Sequence, residues 1–135
     1  DGESYQIPAN EGENTLHGGA NGFSNHFYDV ATSQDQDKLQ VILTATIGPE
    51  TDQLPGQETM KVTYTLASDN SVTIDFNGQS DQKTLFNPTT HAYWNLSGEA
   101  ATIQGHVLTL NSTYHHGYGD GFARVTRTRC PRRRL

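Results

Sequence analysis

The chain has a single cysteine, Cys130, which excludes an intramolecular disulfide and leaves the redox compartment open. No stretch approaches the run of about 18 apolar residues that a membrane helix needs, so no membrane association is expected. No basic-then-apolar leader follows Asp1, so no targeting signal is read, and a cytoplasmic location is the default expectation. No spaced set of cysteines, histidines and carboxylates has the pattern of a structural zinc site, so no metal is expected. The hydrophobic fraction is only 33%, while glycine, asparagine, serine and threonine are abundant. That balance suits short strands and many turns better than helices. At 135 residues the chain makes at most one domain, long enough to bury a core.

Positive charge is scarce until the end. Three lysines (Lys38, Lys61, Lys83) against fifteen acids give the first 123 residues a net charge of −12, and six arginines give the last twelve +6. So abrupt a shift reads as a tail, residues 122–135, that is foreign to a domain of residues 1–121, as a frame shift or artificial junction would leave it. The alternatives are an ordinary surface tail or a basic arm for nucleic acid or an acidic partner. Against a nucleic-acid partner, the acidic body would repel phosphates, and the tail has no aromatic interleaving beyond Phe122.

Alternation at period two dominates the middle of the chain. Leu39, Val41, Leu43, Ala45 and Ile47 share one face, with Gln40, Thr44 and Thr46 opposite. Met60, Val62, Tyr64 and Leu66 alternate against Lys61, Thr63 and Thr65; Val72, Ile74 and Phe76 alternate against Thr73 and Asp75. Such segments, rich in β-branched residues, read as half-buried strands. Asp69-Asn70 suits a tight hairpin between the last two, because both residues tolerate unusual backbone angles. Pro49, Pro55 and Gly56 punctuate the loop between the first two. Shorter strands are expected at Tyr5–Ile7, His26–Val30, Thr84–Phe86 and Gly105–Asn111. No amphipathic helix or internal repeat is evident. The expected fold is all-β, an antiparallel β-sandwich, and an incomplete sheet would leave unpaired edges that invite self-association.

Two stretches carry possible chemistry, "NTLHGGANGF" (Asn14 to Phe23) and "NPTTHAYWNLSG" (Asn87 to Gly98). Taken singly, His17 reads as a turn residue beside glycines and His91 as an imidazole wedged among aromatics. His26, His106, His115 and His116 offer nothing beyond that ordinary reading. The pair of stretches has more content. Tyr93 and Trp94 offer flat apolar surfaces on which the C–H faces of a sugar ring can stack. Asn87 and Asn95 can each donate to and accept from hydroxyls. An imidazole titrates near neutrality, so it can lend a proton to an oxygen and recover it. Gly18 and Gly19 allow close approach of a ligand to the backbone beside His17.

In order and spacing these stretches resemble the aldose 1-epimerase (galactose mutarotase) family. "LPGQETMKVTYTLASDNSVTIDF" is similar to that family's Pro-Gly loop and its two following strands, "IQGHVLTLNSTY" to the strand after the second motif, and "YQIPANEGENT" to the approach to the first. The resemblance runs from about Glu3 to Tyr114. It implies a β-supersandwich enzyme that interconverts the α and β anomers of aldohexoses, with a sugar as its small-molecule partner. It also implies that His17 contacts the sugar, that His91 protonates the ring oxygen, and that no cofactor is needed. The family's general-base glutamate and sugar-binding aspartate lie beyond the matched region, and its arginine would precede Asp1. Neither Glu99 nor Asp120 fits those motifs. Thr90 stands where asparagine is common, and Tyr28-Asp29 replaces the usual tryptophan region. The chain is therefore expected to be inactive alone. A non-catalytic carbohydrate-binding β-sandwich is the alternative.

Overall fold

The computed structural model describes residues 2–98, 102–107, 114–119 and 121–129, the last two stretches as backbone. It divides into two compact units, Asp1–Thr89 and Thr90–Leu135.

The first unit is built on a four-stranded antiparallel sheet, β1 (Asp29–Gln34), β2 (Lys38–Ile47), β3 (Glu58–Ala67) and β4 (Val72–Ser80), in the order β1-β2-β3-β4. Register follows the alternation. Leu39 faces Leu66, Val41 faces Tyr64, Leu43 faces Val62 and Ala45 faces Met60, while Val62 faces Phe76 across the next pair. The alternating apolar residues of the three long strands thus share one side, with Ile42 and Ala67 on the other, because side chains repeat every two residues along a strand. The opposite side is otherwise polar and is tied by hydroxyls: Thr46 and Thr59 share a hydrogen bond of 2.7 Å, and Gln40 donates to Thr65 at 3.0 Å.

The turns follow from their residues. Between β3 and β4, Asn70 takes a left-handed φ of 65°, the Ala67 N–H donates to the Ser71 carbonyl, and the Ser71 N–H donates to the Asp69 carboxylate. This is a three-residue hairpin loop closed by a left-handed residue, which asparagine tolerates. Between β1 and β2, the Asp35 carboxylate accepts the N–H groups of Asp37 and Lys38, each at 3.0 Å. Those bonds, Asp37's first, hold the Asp35 carboxyl below the usual carboxylate range. The loop after β2 contains one turn of helix, α1 (Pro49–Asp52), begun by proline and ended by Gln53 at a left-handed φ of 60°. Its return to β3 is fixed to the end of β4, where the Gln57 N–H donates to the Asp81 carboxylate at 2.8 Å.

Four of the expected short strands differ from expectation. Tyr5–Ile7 and Thr84–Phe86 are not strands. Neither segment has a ladder partner, and the Phe86 ring instead lies against Gly78, so closely that a Cβ at Gly78 would overlap it. The strand expected at His26–Val30 begins at Asp29 and continues to Gln34, because pairing with β2 recruits a segment whose own pattern is polar. Residues 105–107 of the expected Gly105–Asn111 strand are irregular, and the remainder lies outside the described residues. Burial also departs from the pattern. Ala45, Ile47, Met60 and Val62 are buried at one end of the apolar face, whereas Leu39, Val41, Tyr64, Leu66 and Val72 on the same face are exposed.

In the second unit β5 (Tyr114–Gly119) pairs antiparallel with β6 (Gly121–Arg129), with an irregularity at Tyr118/Gly119. β6 therefore lies within the arginine-rich segment. Among the described residues no helix is long and apolar enough to cross a membrane.

Candidate active site

His17 lies in the first unit, exposed, in a turn of unusual backbone. Its φ is 54°, and those of Gly18 and Gly19 are 80° and 81°. The Gly19 N–H donates to the Leu16 carbonyl at 3.0 Å, closing a tight turn whose two central residues are both left-handed. Glycine adopts such angles freely, but for histidine they carry strain, which persists only where the surroundings impose it. Asn10 fixes the residue before His17. Its side-chain amide donates to the Leu16 carbonyl at 3.0 Å and accepts the Leu16 N–H at 2.6 Å, imitating a neighbouring strand. Thr15 adds a bond from its hydroxyl to the Pro8 carbonyl at 2.9 Å. The backbone leading into His17 is thus tied to the segment of residues 8–10.

His91 lies in the second unit, also exposed, in a segment with no regular ladder among its described residues. Its ring is tilted by 37° against Tyr93, with centroids 5.1 Å apart. Tyr93 is 90% exposed and Trp94 63%, so the expected burial of His91 in an aromatic core is replaced by an open aromatic surface beside an imidazole. Asn95 bends the chain after Trp94, its carboxamide oxygen accepting the Ser97 N–H at 3.0 Å, and Gly98 follows at a φ of 66°. Asn87, expected among the hydroxyl readers, lies in the first unit.

The other histidines separate. Nε2 of His26 bonds the Asn21 carbonyl at 2.9 Å, a local turn contact that matches the ordinary reading. His106 does not match it: Nδ1 lies 3.0 Å from the Ile103 carbonyl, and Nε2 accepts the Leu96 N–H at 3.1 Å. Sequence reasoning passed over both Asn10 and His106. Each acts by a side chain gripping a distant main chain, which leaves no periodic trace in the sequence. Among the described residues no group of histidines, cysteines and carboxylates could hold a metal ion.

Comparison with known proteins bears on these observations. A family model described as aldose 1-epimerase matches residues 1–132. The chain is 42% identical over 111 residues to a maltose epimerase of Levilactobacillus brevis, covering 82% of this chain and 33% of that protein. It is 30% identical over 133 residues to the galactose mutarotase of Sus scrofa, covering 97% of this chain and 35% of that protein. Among solved structures, a galactose 1-epimerase from Lactobacillus acidophilus aligns with a TM-score of 0.65 and 33% identity, over 69% of this chain and 28% of that one. The chain spans about a third of the length of these curated relatives. Its fold class is the all-β, sandwich-type one that the alternation predicts. A model match over nearly the whole chain, joined to relatives and a fold that agree with it, places this protein in the aldose 1-epimerase family.

Proposed function

We propose that the chain supplies the proton-donating and sugar-contacting part of a mutarotase site, in which α and β anomers of an aldohexose interconvert. Ring opening needs a proton removed from the anomeric hydroxyl while the ring oxygen gains one. Rotation about C1–C2 presents the other face of the aldehyde, and closure reverses both transfers. In this reading His91 delivers the proton to the ring oxygen and His17 contacts the sugar. The observation that carries it is the His91 imidazole set against the exposed Tyr93 ring, with the exposed Trp94 next in sequence, an arrangement in which a stacked pyranose would meet a proton donor. The strained, bonded turn at His17 supports the second role.

No acid within the 135 residues fits the family's general-base motif. General acid–base groups contribute roughly 10²–10⁴-fold each, so the isolated chain is expected to accelerate the optical relaxation of fresh α-D-galactose no more than free imidazole does. Polarimetry with the purified chain tests this, and a clear protein-dependent acceleration rejects it. The reading itself is tested in a chimera that places residues 1–114 in the Levilactobacillus maltose epimerase. The chimera is expected to epimerise maltose or galactose and to lose that activity with His91→Asn while still binding sugar. An active His91→Asn chimera would instead make this segment a binding module.

A further inference from the structure

We propose that His106 is a positioning residue for the sugar-facing loop, holding it through the main chain of Leu96; the inference rests on the sugar-site reading above. Residues 87–98 have no strand ladder among the described residues, so side-chain bonds contribute to their shape. One such bond, from Ser97 to Asn95, is local. Another comes from His106, ten residues away from the N–H it accepts.

The two partners fix the ring's chemistry. Leu96 offers an N–H to Nε2, so Nε2 must be a bare acceptor. Ile103 offers a carbonyl to Nδ1, and a carbonyl only accepts, so Nδ1 must carry the proton. One neutral tautomer satisfies both. The same Ile103 carbonyl also accepts the His106 N–H at 2.9 Å, which anchors the ring's base in a turn. The grip falls two residues after Trp94, so the plane on which a sugar would stack is located by a group that never touches the sugar.

The test uses the 135-residue chain labelled with ¹⁵N. Long-range ¹H–¹⁵N correlation of the imidazoles at neutral pH is expected to find His106 protonated at Nδ1 and bare at Nε2; the opposite tautomer overturns the proposal. Two variants then separate the loop grip from a role confined to the 103–106 turn. His106→Gln keeps an acceptor near the place of Nε2, and His106→Asn keeps only a donor near the place of Nδ1. Loss of one hydrogen bond is expected to speed exchange of the Leu96 amide about five- to tenfold in His106→Asn, while His106→Gln stays near the parent. Titration with D-galactose, read on the indole N–H of the only tryptophan, Trp94, is expected to weaken by a similar factor in the same order. Asn equal to or better than Gln in both readouts overturns the proposal. Leu96 exchange in the expected order with no galactose response in the parent keeps the grip and rejects the sugar reading. The tautomer measurement needs no variant and decides the question even where a variant fails to fold.

Discussion

Glu58 is 4% exposed on the apolar side of the first unit's sheet, opposite Ile47 of β2 and Ser80 of β4. Burial pushes its carboxyl above the usual range, and repulsion from Asp52 of α1 adds to the shift. A carboxyl that binds its proton more tightly when folded favours the native state fully below its unfolded value and loses that contribution as pH rises through the folded value. Asp35 and Asp69 are shifted downward by hydrogen bonds from backbone and, for Asp69 first, the Ser71 side chain, and they act in the opposite sense. A comparison with Glu58→Gln removes their contribution, because both proteins share it. Thermal melts are expected to show the variant matching the parent near pH 4 and exceeding it at pH 7 by up to about 1 kcal/mol, the cost of desolvating the charged carboxyl. Equal stability of the two proteins at pH 7 would mean that the ionised carboxylate reaches water.

At the scale of elements, the contact between Gly78 and the Phe86 ring decides how the chain leaves β4. Gly78 faces Met60 across the ladder, so its missing side chain is on the apolar side. Gly78→Val is expected to displace the ring and cost roughly 1–3 kcal/mol, as overpacking does. If the ring is the obstacle, Phe86→Ala in the same chain recovers part of that loss, and denaturant midpoints of the two single variants and the double read the coupling. Additive losses would place the strain in the strand instead. This contact also explains what the sequence made legible. β2, β3 and β4 announce themselves because apolar and β-branched residues alternate over a length that only a pleated, one-sided strand satisfies. Thr84–Phe86 has the same local character but no partner, and Phe86 serves better as a cover for Gly78. β1 was half legible, since "DVATSQ" shows no apolar period and owes its state to β2. Of the proposed site residues, His17 and His91 were legible as motifs. Asn10 and His106 were not, because a side chain that grips main chain six or ten residues away answers to geometry rather than to spacing.

Over the whole molecule, charge and pairing bear on how copies of the chain meet. A body of residues 1–121 with a separate tail of 122–135 remains our proposal from composition. A chain ended at Gly121 loses β6, yet is expected to keep the parent's sheet transition, since the four-stranded sheet belongs to the first compact unit; a lowered transition rejects that boundary. Self-association is expected through the sheet edges. Among the described residues β1 and β4 pair on one side only, and Val30 and Val72 on those strands are exposed. An open edge beside exposed apolar side chains is a template for pairing with another chain. The net charge of −6 opposes that meeting, and salt screens it. Sedimentation is therefore expected to find a mass that rises with both protein and salt concentration. Val30→Lys with Val72→Lys places a charge on each edge and is expected to hold the chain monomeric. These lysines also reduce the net negative charge, which by itself would favour association, so a monomeric variant assigns the contact to the edges and an unchanged mass assigns it elsewhere.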